Sequence, residues 1–190
     1  MTEQQAYEMV GQRSGYELRE YPTCVVAEVD VQGDFEQAGS IAFRPLLNYI
    51  QGNNSSRQSV AMTAPVVQQQ SIDMTAPVIQ STGDSQQHTV AFVLPRSVTL
   101  TTAPIPSDPR VHVREMPGRL TAVARYSGRW SQSSYERHVA ELREAIAADG
   151  LVAVGEPRFA RFDPPFKPWF LRRNEVHIDV ESPTARASDQ

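Results

Sequence analysis

The sequence has little from which a cross-linked or metal-clamped site could be built. Cys24 is its single cysteine, which excludes an internal disulfide and a thiolate metal cage. Cys24 begins the apolar run Cys-Val-Val-Ala, a setting typical of a small core residue rather than a redox centre. The four histidines include no pair at a metal-binding spacing such as His-x-x-x-His. His88 follows a polar stretch and is predicted to be exposed.

Excess basic charge and long apolar runs are also missing. The net charge of −4 argues against a nucleic-acid partner, which would favour a basic surface. No stretch approaches the roughly 20 apolar residues of a membrane span, and the first ten residues do not resemble a signal peptide. We therefore expect a cytoplasmic protein without a membrane partner. The hydrophobic content of 40% is ordinary for a globular protein, and 190 residues favour one domain.

No motif for catalysis is recognisable. The sequence contains no Gly-x-Ser-x-Gly, no phosphate-binding loop and no dinucleotide fingerprint, so an enzyme is not the first expectation. Glu175 alone among the acids has a strand setting that suggests a buried pocket carboxylate. Its alternatives are to face water or to pair with Arg172 or Arg173.

The chain repeats itself at an offset of 95 residues. Residues 16–35 align without a gap on residues 111–130, with apolar positions on apolar positions. The identical pairs are Arg19 and Arg114, Glu20 and Glu115, Pro22 and Pro117, Ala27 and Ala122, and Gly33 and Gly128. Each copy is followed by a helix-start pattern and an apolar stripe, which predict helices near 35–50 and 134–148. Pro45 is expected to kink the first helix or to mark a later start.

Strand-like segments flank both predicted helices. They are residues 24–31, 89–94, 120–126, 158–162 and 175–180. Each half therefore reads strand-helix-strand-strand, which predicts an α+β fold with a curved sheet or distorted β-barrel and two helices. We expect one domain over 13–180, with halves 16–100 and 111–180 and flexible ends at 1–12 and 181–190.

A second, shorter repeat is Met-Thr-Ala-Pro-Val, at residues 62–66 and again at 74–78. Proline cannot donate to a sheet ladder, so both copies are predicted to be edge-like segments. Met62 and Met74 are either core residues or part of an apolar binding surface.

Several motifs together resemble the SOUL haem-binding family across residues 16–180. They are Tyr-Glu-Leu-Arg at 16–19 with Tyr21, Leu-Asn-Tyr-Ile-Gln-Gly at 47–52, the Met-Thr-Ala-Pro-Val motif, and Asp-Pro-Pro at 163–165 leading into Arg-Asn-Glu-Val at 173–176. The resemblance implies a two-halved fold that binds haem or free porphyrin reversibly and non-covalently in an open apolar groove. It also identifies one departure. Glu20 stands where an animal member has a histidine thought to ligate the haem iron, and glutamate is a poor axial ligand.

A porphyrin site requires apolar surface for the ring and cations for the propionates. The segment Phe-Lys-Pro-Trp-Phe-Leu-Arg-Arg at 166–173 offers both. The predicted site residues are Phe43, Leu47, Met62, Met74, Phe166, Trp169, Arg172, Arg173, Glu175 and His177.

Strand alternation on 175–180 places Glu175, His177 and Asp179 on one face, which is either solvent or the groove. In the groove, His177 would be the best remaining candidate iron ligand, and Glu175 would raise its pKa. Two other readings stay open, a small-molecule enzyme that uses Glu175 and a protein-interaction module. The sequence does not indicate an oligomeric state.

Overall fold

A computed structural model describes residues 3–56, 59–60, 63–71, 87–163 and 166–181. The described chain forms one sheet with two helices, and this confirms the predicted α+β class. The strands are β1 Glu3–Gln4, β2 Glu8–Gln12, β3 Glu17–Tyr21, β4 Cys24–Gln32, β5 Thr63–Ser71, β6 Gln87–Val93, β7 His112–Met116, β8 Arg119–Tyr126, β9 Val152–Arg161 and β10 Asn174–Glu181; the helices are α1 Phe35–Ile50 and α2 Gln132–Ala148, and a 3-10 turn spans Trp169–Leu171.

The strand order is β2-β3-β8-β10-β9-β5-β6-β4-β7, with every neighbouring pair antiparallel. Strands β3, β4, β5 and β6 of the first half correspond in chain order to β7, β8, β9 and β10 of the second. When the order from β3 to β7 is reversed and each strand is replaced by its counterpart, the same order results. β3 pairs with β8 and β4 pairs with β7, so the two strands before each helix lie apart from one another. Each half has the order strand-strand-helix-strand-strand, because β3 and β7 add a strand that the sequence pattern did not predict.

Both helices begin close to their predicted starts. α1 runs through Pro45, so a late start at that residue is excluded. Asp34 precedes α1, but its side chain makes no capping hydrogen bond. Instead the carboxylate of Glu36 accepts the backbone N–H of Gln132 at 3.0 Å, which joins the first turns of the two helices. Gly150 follows the C-cap residue of α2 with φ +72°, a left-handed conformation that ends the helix.

The core has one main cluster under each helix. α1 packs on β4 and β6, whereas α2 packs on β8, β9 and β10. Phe35 crosses this division, because it begins α1 but lies in the cluster of α2. Its ring stacks on Tyr135 at 5.1 Å and on Phe159 at 5.4 Å between ring centroids. The two halves therefore meet at an aromatic seam beneath the first turns of the helices.

The first Met-Thr-Ala-Pro-Val copy enters an interior strand, which contradicts the predicted edge position. β5 begins at Thr63 and pairs with β6 on one side and β9 on the other. The register against β6 shifts between Thr63 and Val66, and this irregularity accommodates the proline between them. The second copy and both Met62 and Met74 lie outside the described residues.

The N-terminal segment contributes two short strands to the sheet. β2 pairs with β3 at one edge of the sheet, and β1 pairs in parallel with the first residues of β5. Ordered structure thus begins before residue 13, where the sequence suggested the start of the domain. Within the described ranges, no helix is long and apolar enough to cross a bilayer.

Candidate functional site

The last strand alternates as predicted, and both of its faces are largely buried between Asn174 and Ile178. Val176, Ile178 and Val180 lie in the core under α2. Glu175 is 0% exposed and His177 is 3% exposed on the opposite face of the sheet. The solvent alternative for these two residues is therefore wrong.

Glu175 is the centre of a buried charge network. Its Oε2 accepts hydrogen bonds from Arg19 Nη1 at 2.9 Å and from His177 Nε2 at 2.9 Å. Its Oε1 accepts a hydrogen bond from Arg173 Nη2 at 2.6 Å. Tyr21 stacks on the His177 ring, with 5.7 Å between centroids. Four side chains from two strands and the preceding loop are thus fixed around one carboxylate.

The pKa values within this network follow from its contacts. Burial raises the pKa of Glu175, but His177 and Arg19 outweigh burial and lower it to about 2. Burial lowers the pKa of His177, and the opposing effect of Glu175 does not overcome it. The expectation of a raised His177 pKa is therefore wrong. His177 is neutral at pH 7, with the proton on Nε2 donated to Glu175.

The buried network affects two predicted roles, that of Glu175 as an acid or base and that of His177 as an iron ligand. A carboxylate with a pKa near 2 and no exposed surface is poorly suited to exchange protons with a substrate near pH 7. An iron ion bound at Nε2 of His177 would displace its hydrogen bond to Glu175. No three His, Cys, Asp or Glu side chains within the described ranges are grouped as a metal site would need.

The predicted aromatic loop, residues 166–173, is exposed. Phe166 is 87% exposed and Phe170 is 58% exposed, and the neighbouring Trp169 and Leu171 also face solvent. The guanidinium of Arg129 lies over the Trp169 ring at 5.5 Å. Proline at 168 precedes the 3-10 turn and stiffens it. An apolar surface of this kind, rimmed by cations, is typical of an interaction site.

Two predicted residues of α1 occupy different environments. Phe43 is partly exposed, and its ring meets Phe92 edge-on at 5.5 Å. Leu47 lies one turn later and is partly buried against the α1 core. Phe43 is thus available for contact with a ligand, whereas Leu47 serves mainly to support the helix.

The structure adds a residue that the sequence did not single out. Arg161, at the end of β9, is 8% exposed and donates from Nη2 to Oε1 of Gln68 at 2.7 Å. Gln68 in turn donates to the carbonyl of Phe35 at 3.0 Å, which fixes it at the seam. A Cβ at Gly39 would overlap Nη1 of Arg161, so α1 carries a glycine where the guanidinium meets it.

Aromatic rings surround the Arg161 guanidinium. It lies 4.9 Å from the Trp130 ring centroid, 4.9 Å from that of Phe159 and 5.8 Å from that of Phe35. Arg172 lies over the same indole at 4.4 Å, which connects the seam to the aromatic loop. The predicted site residue Arg172 is therefore connected to α1 at Gly39 through Trp130 and Arg161.

Arg161 makes no ion pair with any carboxylate of the described residues. Burial lowers its pKa to about 10, and the nearby charge of Arg172 acts in the same direction. Its Nε is buried without a hydrogen-bond partner among those residues. A buried cation is usually compensated by an anion, so this seam is suited to an anionic group supplied from outside. The sequence does contain a signal for Arg161, because strand alternation places it on the same face as Phe159, two residues earlier.

His88 is also not where the sequence placed it. It is fully buried on β6, with its ring edge-on to Phe35 at 6.0 Å. Burial lowers its pKa below the ordinary histidine value. The expectation of an exposed histidine is therefore wrong.

A separate cavity of about 230 Å³ lies beside the N-terminal segment. Gln5, Cys24, Val93 and Glu115 are among its lining residues. None of the predicted site residues within the described ranges lines it, so this cavity does not unite the candidate site.

Known proteins resemble this chain in both sequence and fold. The profile of the family described as "SOUL heme-binding protein" matches residues 2–179. "Heme-binding protein 1" of Xenopus tropicalis is 27% identical over 170 residues, which are 87% of this chain and 85% of that protein. "Heme-binding protein 1" of Xenopus laevis is 26% identical with the same coverage.

Among solved structures, an uncharacterized conserved protein from Listeria innocua superposes with a TM-score of 0.67 at 15% identity. The match covers 90% of this chain and 94% of that protein. At this identity the likeness shows a shared fold. The family match extends over nearly the whole chain, from the N-terminal segment to the last strand. The chain therefore belongs to the SOUL heme-binding protein family.

Proposed function

We propose that this protein binds haem or a related porphyrin, reversibly and without a covalent bond, between α1 and the aromatic loop. The single observation that carries the proposal is the buried cation of Arg161, which has no ion-pair partner among the described residues and lies beside an exposed apolar surface. Membership of the SOUL family supports the same ligand class, as does the name of the Xenopus relatives.

The residues fit the group that the family implies. Phe43 on α1 and the loop residues Phe166, Trp169 and Phe170 offer apolar surface for the faces of a flat ring. Guanidinium groups suit the propionates, and Arg161 and Arg172 both lie over the Trp130 ring. Bound haem would supply an iron ion with free axial positions. The protein residues would hold the ring, orient it through its carboxylates and exclude water from its faces.

Binding is expected to depend little on the iron. His177 is hydrogen-bonded within the buried network, and Glu20 is exposed on β3, away from both helices' seam. Apolar burial and propionate pairing are then the main contributions. Protoporphyrin without iron should therefore bind within about tenfold of haemin, a difference of about 1.4 kcal/mol.

Haemin titration followed in the Soret region tests this proposal. Phe166→Ser together with Phe170→Ser should weaken binding, because both side chains are exposed in the absence of ligand and gain cover only from it. Val10→Ser is the control, since Val10 is a 54% exposed apolar residue on the edge strand β2, outside the aromatic loop. An unchanged Soret spectrum on adding haemin to the wild-type protein would refute the proposal.

The physiological role consistent with such a site is that of a carrier, buffer or sensor in the cytoplasm. The enzyme alternative receives less support, because its proposed acid or base, Glu175, is buried in ion pairs. A protein-interaction module remains the second candidate, favoured by the exposed aromatic loop. Loop variants that bind haemin normally but lose a protein partner would favour that candidate.

A further inference from the structure

We infer that Arg161 and Tyr126 form a carboxylate-binding site at the seam between the two helices, and that this site selects porphyrins with free propionates. The inference rests on the proposed function and specifies which part of the ligand the protein recognises. It concerns residues that the aromatic loop does not contain.

Two buried donors at the seam have no acceptor in the part of the chain that the structure describes. Arg161 Nε and Tyr126 Oη both lack a hydrogen-bond partner among the described residues, and each residue is 8% exposed. Both flank Phe159, whose ring centroid lies 4.9 Å from the Arg161 guanidinium and 6.3 Å from the Tyr126 ring. Buried donors are normally satisfied, so an orphaned pair on one neighbour indicates a missing acceptor. A carboxylate carries two oxygens and no donor, and it complements an N–H and an O–H together.

The surroundings keep a positive charge at this place. The faces of Trp130, Phe159 and Phe35 attract the guanidinium without neutralising it. Glu36 acts on Arg161 electrostatically, but these two described residues form no ion pair, and Oε1 of Glu36 accepts the N–H of Gln132. The compensation is therefore left to the ligand, and a cationic or esterified ligand would not provide it.

The experiment compares protoporphyrin IX with its dimethyl ester, both delivered from the same detergent micelles. The wild-type protein should prefer the free acid by about tenfold or more, as expected for hydrogen bonds to a charged group. Arg161→Gln should reduce that preference to about threefold or less while leaving the affinity for the ester unchanged. Tyr126→Phe should reduce it by a smaller factor. Arg143→Gln is the control, since it removes an exposed arginine of α2 outside the seam.

A full preference for the free acid in folded Arg161→Gln would overturn the inference while the proposed function stands. If that variant does not fold, Gly39→Ala replaces it, because the new Cβ displaces the guanidinium and keeps its charge. Retained preference there would likewise count against the site.

If neither porphyrin binds the wild-type protein, the proposed function fails. A small carboxylate probe then tests the carboxylate-binding site at the seam independently. Trp130 and Trp169 are the two tryptophans, so Trp130 alone reports in a Trp169→Phe protein. Sodium benzoate should change its fluorescence saturably, whereas benzyl alcohol at equal ionic strength should not. Loss of the benzoate response in Arg161→Gln would support the site. An absent response in the parent protein would overturn it.

Discussion

Glu175→Gln tests whether the buried network stabilises the fold. The substitution keeps the size of the side chain but replaces a charged acceptor with a group that also donates. Arg19, Arg173 and His177 all direct donors at this position. One amide oxygen cannot satisfy three donors. Arg173 also loses the carboxylate with which it pairs, and Arg19 keeps only its ion pair with Glu17.

The magnitude follows from the pKa of Glu175, which changes from an ordinary 4.5 to about 2 in the folded protein. A shift of that size corresponds to about 3 kcal/mol of folding free energy at pH 7. Because the carboxylate is 0% exposed, solvent does not screen this contribution. Removal of one partner from a buried ion pair costs a similar amount, about 3 to 5 kcal/mol.

Urea unfolding followed by circular dichroism measures the effect. The pKa is lowered on folding, so the stabilisation is fully present above about pH 4.5 and is lost as the pH falls towards 2. The gap between wild type and Glu175→Gln should therefore be constant from pH 7 to pH 5 and narrow below pH 4.5. Glu20→Gln makes the same chemical change on an exposed side chain and should cost little. A loss of under about 1 kcal/mol at pH 7 would refute the reasoning.

Three further outcomes are expected. Phe35→Ala should lower the free energy of unfolding by about 3 to 5 kcal/mol in urea titrations, because it removes the ring that crosses the seam. The urea concentration at the unfolding midpoint should decrease as the pH is lowered from 7.5 to 5.5. Burial lowers the pKa of His88 and His177, so the unfolded chain takes up those protons first, and His88→Gln should make this decrease smaller. Gly39→Ala should change thermal stability by less than about 1 kcal/mol, because the gain in helix propensity offsets displacement of Arg161, while calorimetry should show weaker porphyrin binding.

Local patterns were sufficient to predict the elements with strong periodicity. The apolar stripes of both helices and the alternation of Val176, Ile178 and Val180 each follow from one face meeting a core. β3 and β7 were missed because their short, charged sequences show no such alternation. They become strands only by pairing with the opposite half, which is not a local property.

The candidate site was predictable where its residues are exposed and chemically distinctive, as in the loop with Phe166 and Arg172. Arg161 was not identified, since an arginine near a strand end ordinarily faces solvent. Its burial results from α1 and Trp130 approaching from distant parts of the chain. His88 was misplaced for the same reason, because the ring that covers it begins the first helix.

The exchange of β3 and β7 between the halves has a consequence for assembly. An isolated first half would leave β4 without its outer neighbour, and an isolated second half would leave β8 likewise exposed. Cleavage of the chain within the 95–111 connection would thus yield two fragments that associate with each other, and neither fragment would fold stably alone. In the intact protein these closing pairs join residues about 85 to 105 positions apart, and such non-local pairing favours slow folding.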